Sequence, residues 1–206
     1  MTGEAEVKAA PDQAVVSGGA VTDANTASQA VAENAAIMNR AFEALAKLGI
    51  PKSAFATDGF SLSPQYPPQN DKNPQPHVII GYEVRNAIGV TLDDVSRAGA
   101  VLDAIIDAGA NESAGVGFSI KNPQPLLNQA RAAAGADALN RARIYAHAVG
   151  AELGAVRAIH EGYAAVDSGP VNAIETVVVT GSRIPTPIAA GEQSVRATVT
   201  VEWAVK

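Results

Sequence analysis

Cysteine is absent from this chain of 206 residues. No disulfide staples the fold, no thiolate serves as nucleophile or metal ligand, and redox usage leaves no mark of a compartment. Aromatic residues are only 4% and there is one Trp, while nearly half the chain is hydrophobic and alanine is abundant. A core of this kind closes by near approach of helices to a sheet, with small side chains at the contacts. Charged residues are 17%, below the usual quarter. Much of the solvent face is therefore neutral, a mild pointer to an oligomer. Lys and Arg number 15 against 21 Asp and Glu, for a net charge of −6 and a pI near 5.0. That balance argues against nucleic acid as a partner, because phosphate affinity rests on clustered cations. No run of about eighteen apolar residues occurs, so no helix spans a bilayer. Met1-Thr2-Gly3-Glu4 leads straight into strand-like sequence without a signal-peptide pattern. Two readings stay open: a cytoplasmic protein, or a mature chain whose leader has been removed.

The organising stretch is residues 25–62. Asn25 signals the helix start, and Thr26 with Gln29 three residues on has the form of a capping box. Val31, Met38, Phe42 and Leu45, with Ile37, Ala41, Ala44 and Leu48 beside them, predict one apolar helix stripe. Glu33, Asn34, Arg40, Glu43 and Lys47 are assigned to the wet side. Gly49 closes the helix and Pro51 forbids its continuation. A second copy of the plan, a long Ala-rich helix over 124–149, Gly150 and a strand over 152–161, predicts two related halves, about 1–92 and 93–206. Gly135 stands mid-helix at a penalty of roughly 1 kcal/mol against Ala, which we read as a close helix contact.

Around these, residues 3–10 alternate as a half-buried strand, and Pro11-Asp12 followed by 13–22 predicts a hairpin, with Gly18-Gly19 marking a bulge or a close backbone approach. Residues 63–77 hold five prolines and read as an extended loop; 78–92 is a strand, making a long-looped hairpin with the strand near 59–63. Thr91 and Asp94 propose a second cap, for a shorter helix with Val95, Ala98, Leu102 and Ile105 inward and Gly109 at its end. Residues 114–120 form a strand. A second insert spans 162–192. Residues 194–206 alternate strictly and predict a strand internal to a sheet, with Trp203 largely buried. Both inserts, 63–77 and 162–192, are expected to project as arms. The uncharged, β-branched Thr176–Thr180 is the piece suited to adding to a neighbour's strand edge.

Chemistry-bearing residues are sparse. His77, His147 and His160 form no H-x-x-x-H or H-E-x-x-H arrangement, so a structural pair of His147 and His160 outweighs a metal site. Asp93-Asp94 and Asp103/Asp107 lie at cap and helix spacings, not across a cleft. No Gly-x-Ser-x-Gly elbow occurs, and Gly115-Val116-Gly117 lacks the third glycine of a dinucleotide loop. Arg131, Arg141 and Arg143 share a helix with Asp137 and read as a solvated face. No catalytic, cofactor-binding or metal-ligating residue is assigned, and no cofactor. VVVTGSRIP, residues 177–185, is similar to the segment opening the plug domain of TonB-dependent receptors, which would imply contact with an outer-membrane receptor of that type. We read it as a β-prone run ended by a Gly-Ser turn.

Several short pieces in one order resemble the SIMPL-domain family, a conserved domain of unknown function found in bacterial periplasmic immunogenic proteins. They are GEAEVKAAPDQAVV, the T-A-S-Q-A helix start, GFSLSPQY, GYEVRNAIGV, DDVSRAGAVLDAIIDAGAN, GVGFSIKNP, AELGAVRAIHEGY and PIAAGEQSVRATVTVEW. Asn122-Pro123 replaces the usual Asp-Pro, and Gly135 is unusual. The resemblance implies an α+β fold of two intertwined lobes, each a long helix on a mostly antiparallel sheet. It also implies a leader peptide, export to the periplasm, self-assembly into a ring-like homo-oligomer, and a link to envelope or oxidative stress. The expected function is that of a non-enzymatic, self-assembling envelope protein. The alternative is a small-ligand carrier with an apolar pocket between helices and sheet.

Overall fold

The computed structural model describes residues 1–68, 78–112, 114–167 and 188–206. Among them the chain order is β1 (Thr2–Ala9), β2 (Gln13–Ala24), α1 (Ala27–Lys47), β3 (Phe55–Gln65), β4 (Gly81–Leu92), α2 (Ala98–Asp107), β5 (Gly115–Ser119), α3 (Gln124–Ala148), β6 (Leu153–Asp167) and β7 (Gln193–Val205). The fold is α+β, with two antiparallel sheets. The described residues form two compact units, one of 13–118 with 188–189, the other of 1–12, 119–167 and 190–206.

In the unit built on residues 13–118 the strand order is β3-β4-β2-β5. Thr26 Oγ1 accepts the Gln29 N–H at 3.3 Å, so the cap read from sequence is formed. At the other end Gly49 takes φ 73°. Its N–H donates to Ala46 O and that of Ile50 to Leu45 O, a Schellman stop in which buried Ile50 lies against Leu45. Gly109 and Gly150 end α2 and α3 with the same pair of bonds. The core gathers Val16, Ile88 and Val90 from the sheet with Leu45, Val101 and Ile105 from the helices.

Two expectations for this unit change, and a third, at Gly18-Gly19, resolves to one of its two alternatives. Asn34 is 1% exposed, not on the wet side, and the stripe runs Ala30, Asn34, Met38, Ala41, Leu45, leaving Val31 and Leu48 in solvent. The register of β2 with β4 is unbroken from Ala14 to Ala24, so Gly18-Gly19 makes no bulge. It is a close approach instead: a Cβ on Gly18 would stand 2.9 Å from Ile105 Cγ2, and one on Gly19 2.7 Å from Asn86 O. The helix after Asp94 opens with a 3-10 turn, Val95–Arg97, before α2 begins.

The second unit has strand order β1-β7-β6 with α3 on one face. Its core joins Leu127, Ala130 and Ala134 to Val195 and Ala197. The alternating C-terminal strand is internal, as expected, but Trp203 is only half-buried. The predicted hairpin of the first two strands is absent. β1 pairs with β7 from Thr2↔Thr200 to Ala9↔Gln193, whereas β2 pairs with β4. Pro11-Asp12 redirects the chain rather than folding it back: the Asp12 N–H donates to Ser119 O, and Asp12 Oδ1 accepts the Lys121 N–H at 2.7 Å. For the same reason the compact units do not divide the chain near residue 92, because β1 belongs with the C-terminal strands.

β6 runs on to Asp167, six residues beyond the strand end expected at 161, with register irregularities between Leu153 and Val156, Val156 and Ala158, and Glu161 and Tyr163. Gly162, which marked the start of an insert in the sequence, is a bulge glycine packed on Thr198. The strands flanking each insert, β3 with β4 and β6 with β7, are paired antiparallel.

Candidate interaction surfaces

Of the side chains singled out for chemistry, some have structural partners, some are exposed, and some lie outside the described residues. His147 and His160 are both exposed, and His77 lies outside. Among the described residues no group of three or more His, Asp or Glu is placed to hold a metal. Asp94 Oδ1 accepts the Ser96 hydroxyl at 2.6 Å and the Ser96 N–H at 3.1 Å. Those bonds, with Arg97 nearby, hold its carboxyl below the usual range. Asp137 is lowered by the Glu4 N–H and by Arg141, and Glu6 by the Ser194 hydroxyl and then by Arg196 and Lys8. All three are surface carboxylates kept ionised, the reverse of what a general acid requires. The α3 arginines are largely neutralised: Arg131 Nε lies 2.6 Å from Glu161, and Arg141 Nε 2.9 Å from Asp137. Gly115 and Gly117 are strand glycines of β5. The stretches 176–180 and 177–185 lie outside the described residues.

What the described residues do present is uncovered apolar sheet. In the unit of residues 13–118, α1 packs over β2 and β4 and scarcely reaches β3. Residues opposite one another in an antiparallel pair share a face. Leu62 lies opposite buried Val84, and Phe60 opposite Asn86, so both point to the side that α1 occupies, beyond its reach. Phe60 is 58% exposed and Leu62 43%. From Ala56 to Pro64 every residue of β3 is exposed, and β3 is an edge strand. The Ile80 N–H donates to Gln65 O, extending this hairpin past β4, and Val78, Ile79 and Ile80 are exposed there.

The other unit repeats the imbalance in its own way. α3 lies over β1 and β7 through Ala130, Ala134, Ala138, Ala142 and Ala146, and touches β6 less. A neighbouring row of the helix, Arg131, Gly135 and Leu139, overlooks β6 across a groove of about 460 Å³. Ile159 and Val201, directly opposite each other, form part of its floor with Trp203. The Arg131–Glu161 pair bridges helix and edge strand.

Residues 1–203 match the SIMPL family, described as a protein of unknown function (DUF541). The chain belongs to the SIMPL family. Over 209 aligned residues this SIMPL chain is 30% identical to a 26 kDa periplasmic immunogenic protein of Brucella melitensis biotype 1, covering 100% of this chain and 84% of that one. The same figures hold for the protein of that name from Brucella abortus strain S19. An uncharacterized protein, YggE, of Edwardsiella ictaluri is 26% identical over 158 residues, covering 77% of the SIMPL chain and 65% of the relative. No helix among the described residues is long and apolar enough to cross a membrane.

Sequence reasoning passed over Phe60, Leu62 and Ile159 as ordinary strand residues.

Proposed function

We propose that this SIMPL chain is a non-enzymatic, self-assembling protein of the cell envelope, resident in the periplasm. The compartment is supported by the two Brucella relatives, both named as periplasmic proteins. The observation that carries self-assembly is the condition of β3. An edge strand offers a row of unpaired N–H and C=O groups, and monomeric proteins blunt such edges with charge, proline or bulges. β3 has one charge, Asp58, at its single register irregularity, and one proline, Pro64. Between them Phe60 and Leu62 stand in solvent. Pairing β3 with β3 of a second copy across a two-fold axis satisfies the edge and covers those side chains, joining two four-stranded sheets into one. The test is mass in solution. Sizing chromatography with light scattering is expected to show an assembly at working concentration, and a strictly monomeric wild type at high concentration would end the reading.

A further inference from the structure

We propose that the groove between α3 and β6 is a binding site for a small uncharged apolar molecule, an aliphatic chain or fused ring, with the Trp203 indole as one of its walls. The first argument is Gly135. Inside a helix, glycine costs roughly 1 kcal/mol against alanine. Elsewhere in this unit a glycine is demanded by packing: a Cβ on Gly3 would fall within the α3 backbone at Ala134 and Ala138. At Gly135 a Cβ would meet nothing within 4 Å, so no close helix contact requires the residue. What the missing side chain leaves is open space on the groove side of the helix, between Arg131 and Leu139.

The second argument is shape. The bulges in β6 raise its local twist and re-aim its side chains where it runs beside α3. Val156 and Ile159 then stand half or more exposed in a concavity instead of under the helix. Its volume, about 460 Å³, is that of a small-molecule site, roughly 300–1,000 Å³.

The third argument is charge, and it selects the class of ligand. Among the described residues Arg131 and Glu161 are the only ionisable groups in the lining, and they are bonded to each other at 2.6 Å. Arg131 Nη1 also donates to Asn128 Oδ1 at 3.1 Å. A carboxylate or an ammonium entering here competes with a formed ion pair, whereas an uncharged apolar body leaves that pair intact. The proposal is independent of whether the chain assembles through β3.

Trp203 is the sole tryptophan, so energy transfer from it to a bound acceptor reports this site. The full chain is titrated with N-phenyl-1-naphthylamine, an uncharged apolar fluorophore, and the complex is then competed with dodecanol and with dodecanoate. Saturable transfer is expected, with dodecanol displacing the probe at lower concentration than dodecanoate. Gly135→Leu fills the open space with a good helix former; it is expected to weaken probe binding by about tenfold or more with Tm unchanged or raised. Ala136→Leu, on the exposed side of α3, leaves binding as in wild type. Should Gly135→Leu fail to fold, the order of the two competitors on wild type decides alone. Absence of saturable transfer in the wild type, binding unaffected in folded Gly135→Leu, or dodecanoate competing better than dodecanol overturns the proposal.

Discussion

Asn34 is the residue on which α1 is seated. Its Nδ2 donates to Ala20 O at 2.8 Å and Val84 O at 3.3 Å, tying the helix to β2 and β4. One helical turn earlier, buried Thr22 Oγ1 donates to Ala30 O at 2.8 Å. Removing the amide breaks two buried hydrogen bonds, a loss of about 1–3 kcal/mol. Asn34→Ala is therefore expected to lower the denaturation midpoint with an unchanged m-value; an unshifted midpoint would contradict the assignment. Asn34 also shows where sequence periodicity misleads. Its position, four residues from both Ala30 and Met38, is a core position by spacing, but its polarity places it on the wet side. The spacing wins because the strands beneath offer acceptors.

At the scale of elements, the contact between β1 and α3 depends on the absence of side chains. Five alanines of α3 are buried, and Gly3 meets the helix where a Cβ has no room. Gly3→Ala must push strand and helix apart, at about 1–3 kcal/mol or more; a melting temperature equal to wild type would refute this close approach. The same contact has a pH signature. Asp137 accepts the Glu4 N–H at 3.0 Å and pairs with Arg141, and its carboxyl is held below the ordinary range. A depressed folded-state pKa adds stability that is present above the ordinary carboxylate pKa and is lost as pH falls through the lower, folded value. Stability is expected to fall on acidification below the ordinary range, and less steeply in Asp137→Asn; identical acid profiles would sink the linkage.

Much at this scale was legible. The cap at Thr26, the three glycine stops and the alternation of β7 are local chemistry, and local chemistry is written in neighbouring residues. The near approach of helix to sheet follows from alanine abundance. The pairing of β1 was not legible, because Pro11-Asp12 makes equally good sense as a hairpin turn and as a crossing, and the partner strand lies about two hundred residues away. Nor was the length of β6, since Gly162 reads as a terminator unless its contact with Thr198 is known.

The whole molecule presents two partly uncovered sheets, and neither uncovered edge could be read from pattern alone. Exposure of Phe60 or Ile159 depends on how far a helix reaches across its sheet, which no alternation records. The SIMPL family match supplies no mechanism, so the account of function rests on β3 as an edge that seeks a partner. The measurement that tests it most directly is light scattering on the wild type beside the double variant Phe60→Lys, Leu62→Lys. Both side chains are already exposed, so the fold loses little, while two added cations on each edge repel a second copy. The account predicts an assembled wild type and a variant of smaller mass with the same melting temperature. Equal masses for the two proteins would contradict it.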